Sequence, residues 1–275
     1  MSHAVISLGL GLGGGKASTS SGGMPAAGGG GTDELNYPTG IWSSAGATYY
    51  IGTSPDMHFD ASILDGADAG NNPANGAAVS TWGDRSGNTI DYDATQASAS
   101  SQPTFADAGA GPGSKPAVTW ATDELDLATV PPASDGWETA GSFTAIYVSQ
   151  ATGSASNVMQ GSGYTYSFWM YFNSQDWICG NYLGVSYSTP NDFNMHTIHR
   201  DGTSAEFFES GGTSLYGPAS QTRTMNIKKI GKTYLSHAGT ISEILIFDSA
   251  LSTADLNVIR LYIANKYSLT TAAFT

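Results

Sequence analysis

The chain has 275 residues, of which only 12% are charged, with 35 glycines, 14 tyrosines and a formal charge of −13. That excess of acid excludes binding along a phosphate backbone, which needs clustered lysine and arginine; the nearest approach, Lys228, Lys229 and Lys232, is too small for a groove. No apolar run approaches the ~18 residues of a membrane-spanning helix. The lone Cys179 excludes an internal disulfide or a cysteine-rich zinc site, and it reads as a small buried residue.

Residues 1–32 are set apart by glycine runs at 13–15, 22–23 and 28–31. Such a stretch buries too little apolar surface to offset the entropy of ordering its backbone. Its apolar residues Val5, Ile6, Leu8, Leu10 and Leu12 precede the glycines instead of being scattered among them. The segment is therefore expected to be an arm that docks on other protein chains through those five residues. Its apolar opening has no basic flank and dissolves into glycine, so it is not read as a signal peptide.

Residues 33–275 carry the pattern of a sheet protein. Val79–Trp82 and Ala117–Trp120 are short strands bounded by Gly, Asp, Asn and Pro, and Phe143–Val148 is the continuous apolar run of a core strand. Over residues 164–172 the chain alternates. Tyr164, Tyr166, Phe168, Met170 and Phe172 fall on a core face, while Thr165, Ser167, Trp169 and Tyr171 fall on the other. A hairpin follows, Phe193–His199 and Ser204–Glu209, with its turn at Arg200-Asp201-Gly202-Thr203, where glycine tolerates the positive φ required. Ile241–Phe247 is a strand with Ile241, Glu243, Leu245 and Phe247 opposed to Ser242, Ile244 and Ile246. Ser252 then caps a helix over 252–267, whose residues Leu256, Ile259, Ile263 and Tyr267 recur at helical spacing.

Several of these passages carry a family likeness. They are Phe59-Asp60-Ala61-Ser62; Val79-Ser80-Thr81-Trp82-Gly83-Asp84-Arg85-Ser86-Gly87-Asn88; Ala94-Thr95-Gln96; Gln102-Pro103-Thr104-Phe105; Lys115-Pro116-Ala117-Val118; the Asp201-Gly202 hairpin; and Ile241–Phe247 with Leu251-Ser252 and Lys266-Tyr267. In this order the segment from about residue 55 to 269 resembles the laminin-G-like, concanavalin A-like jelly-roll family. The resemblance implies an all-β, two-sheet antiparallel jelly-roll sandwich with a C-terminal helix, here behind a Gly-rich N-terminal arm. Trp82 is then expected to fill core space beside the turn of Asp84, Ser86, Gly87 and Asn88. The opening Ile6-Ser7-Leu8-Gly9-Leu10-Gly11-Leu12, followed by a Gly/Ser stretch and this sandwich, is similar in organisation to virion structural proteins of tailed bacteriophages.

Candidate sites are sparse. Glycoside cleavage on this fold would use a strand bearing Glu-x-Asp-x-x-Glu, and Glu124-Leu125-Asp126-Leu127-Ala128-Thr129 lacks the third carboxylate, so no catalytic residue is assigned. No Gly-x-Ser-x-Gly elbow and no phosphate loop occurs. His196 and His199, three apart on a strand, point to opposite faces and cannot share an ion without a bulge; His58 and His237 are isolated. Asp84, Asn88, Asp91 and Asp93 gather in one loop, where oxygen donors would suit calcium, but their spacing matches no EF-hand and turn formation is the preferred reading. No cofactor is expected, calcium being the alternative. Trp169, Tyr171, Trp177, Tyr182 and Tyr187 concentrate in mid-chain, where three roles stay open: stacking on sugar, packing on a neighbouring subunit, or facing the second sheet.

Together these readings lead to the expectation of a non-enzymatic phage virion protein, a tail fibre, tail-tip or head appendage. It would be held to other virion proteins by the arm, with the sandwich exposed. Homo-oligomerisation would let weak contacts to host-surface polysaccharide add by avidity. The alternatives are a secreted bacterial lectin-like carbohydrate-binding module and a divergent glycoside hydrolase.

Overall fold

Among the described residues, the short apolar runs of the sequence pair into two antiparallel sheets of eight strands each. The computed structural model describes residues 34–36, 41–44, 47–51, 53–66, 71–87, 90–107, 109–130, 134–135, 137–139, 141–152, 156–160, 168–170, 177–178, 181–182, 192–212, 214, 216–220, 225–231 and 237–275, all within the unit Thr32–Thr275. In chain order the strands of the two sheets are β1 (Met57–Asp60), β2 (Thr81–Trp82), β3 (Ala94–Thr95), β4 (Thr104–Ala106), β5 (Ala117–Trp120), β6 (Leu125–Leu127), β7 (Phe143–Ala151) and β8 (Ser156–Gln160). They continue with β9 (Phe168–Met170), β10 (Trp177–Ile178), β11 (Asn181–Tyr182), β12 (Asn194–Asp201), β13 (Ser204–Glu209), β14 (Tyr216–Ser220), β15 (Lys229–Ile230) and β16 (Gly239–Phe247), followed by helix α1 (Thr253–Tyr267).

The first sheet runs β14–β13–β12–β7–β16–β5–β4. Its centre is β16, flanked on one side by β7 and on the other by β5 at Gly239–Ile241 and then by β1 at Glu243–Ile246. The last strand thus returns beside the first, which leaves fewer open edges. The second sheet runs β11–β10–β9–β8–β15–β6–β3–β2. Three smaller ribbons accompany them: Glu34–Asn36 with Ile41–Ser44 and Ala47–Tyr50, Thr129–Val130 with Ser134–Asp135, and Trp137–Thr139 with Met225–Ile227.

Two apolar layers result. Phe59, Trp82, Trp120, Phe143, Tyr147 and Ile244 belong to the core between the sheets, and Trp82, fully buried, meets Phe59 edge-on at 5.7 Å, in the place expected for it. The outer side of the first sheet is covered by α1, where Leu245 and Phe247 pack with Leu256, Ile259, Ile263 and Tyr267. This explains why β7 is apolar at successive positions: Ala145 and Tyr147 serve the inner layer, Ile146 and Val148 the outer. Each such side chain taken fully out of water contributes about 1.5–3 kcal/mol before entropy is counted.

Local signals account for most element ends. Asp201 pairs with Ser204, so the hairpin loop is Gly202-Thr203 alone, and Gly202 takes φ +58° at its first position. Ser252 accepts a hydrogen bond from the backbone N–H of Asp255 at 3.1 Å and α1 begins at Thr253; Ser268, left-handed at φ 53°, closes it. Two expectations shift. Only Thr81–Trp82 of the stretch from Val79 forms a strand, Val79 instead donating its N–H to Pro103. A bulge at Ser242, where Val148 pairs with Glu243 but Ser149 with Ile241, moves Ile241 onto the inner face with Ile244 and Ile246. No helix among the described residues is long and apolar enough to cross a membrane.

Candidate functional site

Alternation along β1 and over Glu243–Phe247 of β16 aims Asp60 and Glu243 at α1, and the register makes them direct cross-strand partners. Two buried carboxylates side by side repel each other unless a cation lies between them. Lys266 supplies it: Nζ donates to Asp60 Oδ2 at 2.7 Å and to Glu243 Oε2 at 3.0 Å, and lies 5.4 and 5.1 Å from the ring centres of Tyr262 and Tyr267. Arg85 donates to the same Asp60 oxygen at 3.0 Å, while His58 Nε2 and the Tyr262 hydroxyl both reach Glu243 Oε1 at 2.8 Å. Burial alone would raise both acids, but the Lys266 ammonium holds Asp60 far below, and Glu243 below, the usual carboxylate range. Burial lowers His58, so with the imidazole neutral the two cations and two carboxylates balance.

His58, Asp60 and Glu243 offer donor atoms within 4.8 Å of one another, a set that a divalent ion could use. The Lys266 ammonium already bonds one oxygen of each carboxylate, so the position between them is held by the protein itself. The cluster is a clasp between helix and sheet. Sequence reasoning passed over it, although an acid at Glu243 in an apolar strand and a base at Lys266 on the apolar face of a helix were its visible signals.

The loop named for calcium is built as a turn. Asp84 Oδ1 accepts from the backbone N–H groups of His58 and Ser86, Oδ2 accepts from the Ser86 hydroxyl, and Asp84 N–H donates to Asp93 Oδ1 at 2.7 Å. Asp93 N–H in turn donates to Asp91 Oδ1 at 3.1 Å. Asn88 lies outside the described residues, as do Val5, Ile6, Leu8, Leu10, Leu12, Tyr171, Cys179 and Tyr187. His196 is buried, stacked between Tyr147 at 5.0 Å and Phe207 at 6.1 Å, whereas His199 Nε2 reaches the Leu251 carbonyl at 3.0 Å. The two imidazoles serve opposite faces.

The second sheet brings three of the mid-chain aromatics into register. Asn157 pairs with Trp169 and Trp177 with Tyr182; because Phe168 pairs with Ile178, the next position sets Trp169 opposite Trp177. These four positions form one row across β8, β9, β10 and β11. Met159, buried in the core, pairs with Ile230 and Phe168, so the row lies one position out of phase with that pairing. A second row, entering β8 three residues further along, runs Gln160, Lys229, Asp126, Thr95 and Thr81. Thr81 and Thr95 are exposed, and the Asp126 side chain keeps 51% of its surface in water. Lys229 Nζ binds Glu124 at 3.0 Å and Asp126 at 2.9 Å, while Leu125 and Leu127 of the same strand are core.

No protein-family model matches the chain, and no curated protein sequence matches it. Among solved structures it is similar to the Trypanosoma rangeli sialidase in complex with sialic acid, with TM-score 0.46 and 11% identity over 80% of this chain and 34% of that one. It is also similar to domain 4 of AbnA, a GH43 extracellular arabinanase from Geobacillus stearothermophilus, in complex with arabinotriose (TM-score 0.43, 13% identity, 74% and 97% covered). A third is an arabinofuranosidase complexed with arabinofuranosyl-alpha-1,2-xylobiose (TM-score 0.49, 12% identity, 69% and 51% covered). The chain spans about a third of the length of the sialidase. At these values the likenesses assign neither activity nor ligand.

The expectation of a protein without enzymatic activity is withdrawn: the chains to which this one is similar include a sialidase, an arabinanase and an arabinofuranosidase, and a likeness of this degree decides activity neither way. That expectation rested on a missing carboxylate in one strand motif around Glu124 and Asp126, and one family's motif does not decide the matter for other arrangements of acid and base.

Proposed function

We propose that the chain is a carbohydrate-binding β-sandwich that receives glycan at its second sheet. The observation that supports this is the cross-strand register that sets Asn157 opposite Trp169 and Trp177 opposite Tyr182, in the same sheet as a polar row through Lys229 and Asp126. Aromatic residues offer rigid apolar area to sugar rings, while amide, ammonium and carboxylate groups meet hydroxyls. A folded sheet gives such residues fixed spacing, so little ordering entropy is spent on binding.

Attachment to a host-surface polysaccharide is one use of such a face. The virion setting rests on the N-terminal organisation of the sequence alone. Screening the full chain on a glycan array, then titrating the best glycan calorimetrically into wild type and Trp177→Ala, tests the reading. The expected loss in the variant is about tenfold, the equivalent of ~1.4 kcal/mol. An array without a single retained glycan, or an unchanged affinity in the variant, refutes it.

A further inference from the structure

We infer that Lys266 and Asp60 condense in the folded chain into an intramolecular amide bond, with Glu243 carrying the proton, so that the last helix is tied covalently to the first strand of the sandwich. The three side chains come from α1, β1 and β16, and all are buried, Asp60 and Glu243 being 1% exposed and Lys266 2%. The ammonium is fixed through all three of its protons. Nζ donates to Asp60 Oδ2 at 2.7 Å, to the Tyr262 hydroxyl at 2.9 Å and to Glu243 Oε2 at 3.0 Å. Amine, carboxyl and proton carrier are thus in contact before anything moves. In water an amine and an acid are kept from reacting by the hydration of both ions and by the rarity of a productive encounter. A dry site with fixed geometry removes both obstacles.

The atoms balance without an outside reagent. One proton passes from Nζ to Oδ2 along their hydrogen bond, turning the ion pair into an uncharged amine and acid, the form that a site without water penalises least. That transfer leaves the nitrogen lone pair aimed at the Asp60 carboxyl group. Nζ then attacks Cγ and the C–N bond forms. Glu243 takes a second proton from the nitrogen and passes it to Oδ2, the Cγ–Oδ2 bond breaks, and water departs. Oδ1 stays as the amide carbonyl; it already accepts the Ser62 backbone N–H at 2.8 Å, a donor placed where negative charge gathers as the carbon becomes tetrahedral. Arg85 Nη1 holds Oδ2 at 3.0 Å, and its side chain, 10% exposed, marks the rim through which the water leaves. The bond closes across 206 residues, in a chain whose lone Cys179 gives it no internal disulfide.

Intact-mass spectrometry of the full chain, purified folded and then denatured, tests this. The wild type should be lighter than its sequence by one water, and its digest should contain a branched peptide joining Lys266 to Asp60. Asp60→Asn offers the same acyl carbon with a different leaving group, so the loss should change from water to ammonia. Glu243→Gln should keep the full mass of its sequence while circular dichroism shows it folded. A folded wild type of full mass, without the branched peptide, overturns the inference whether or not the variants fold. A lost water that maps elsewhere, such as to Asp65 or Asp201 before their glycines, overturns it equally. Bond formation in folded Glu243→Gln would remove Glu243 as the proton carrier.

Discussion

Lys266 Nζ lies 2.7 Å from Asp60 Oδ2, so a single ion pair ties the last helix to the first strand of the sandwich across 206 residues of chain. Both partners are almost wholly out of water, and Glu243 stands beside them. Removing one member leaves like charges facing each other in a dry interior. Lys266→Met should therefore destabilise the fold by about 3–5 kcal/mol in urea unfolding. Arg85→Ala, at the wetter rim of the cluster, should cost less. A loss below ~1 kcal/mol for Lys266→Met would mean that the helix is held by apolar packing alone.

Histidines set the response to mild acid. Burial lowers His196 to about 3 and His237 to about 4 from an ordinary 6.5, and lowers His58 as well. The folded chain keeps these rings neutral while the unfolded chain takes up protons below pH 6.5. Their contribution is thus complete above 6.5 and drains as pH falls toward the folded values. Asp56, Asp84, Asp93 and Glu209 act in the opposite sense, since burial raises their carboxyls, and their effect sets in as pH falls through the raised folded values. Just below pH 6.5, where the histidines of the unfolded chain begin to charge, stability should fall with falling pH, by up to ~1.4 kcal/mol per unit for each histidine engaged. His196→Phe, which keeps an aromatic ring between Tyr147 and Phe207, should flatten the slope; an identical slope would remove His196 from the account.

Two backbone positions give graded stability tests. Ser252→Ala removes the cap of α1 and should cost about 1 kcal/mol by thermal or urea unfolding. Gly231 sits at φ +94°, and a Cβ there would clash with the Trp120 ring, so Gly231→Ala should be the more damaging of the two. The reverse order would show that the loop after β15 yields more readily than its packing implies.

What could be read in advance, and what could not, divides on physical lines. The last strand and α1 were legible because their apolar period, the Ser252 cap and the flanking residues agree within a few positions. Ile241 was set on the wrong face because alternation assumes an unbroken pleat, and the bulge at Ser242 breaks it. The clasp was missed because Asp60, Arg85, Glu243 and Lys266 make sense only as a group, and pairing over such distances leaves no local pattern. Trp169 was assigned to the face opposite the core by alternation alone. Its alignment with Trp177 and Tyr182 depends on strand register, which composition and spacing do not fix.

Hydrogen–deuterium exchange of the full chain, with and without a saturating glycan drawn from the array, asks most directly where sugar sits. Slowed exchange concentrated at residues 156–160, 168–170, 177–182 and 225–230, with the first sheet and α1 unchanged, is the predicted result. Protection confined to the first sheet, to its hairpin at Gly202 or to α1 would place the ligand elsewhere and contradict the assignment to the second sheet.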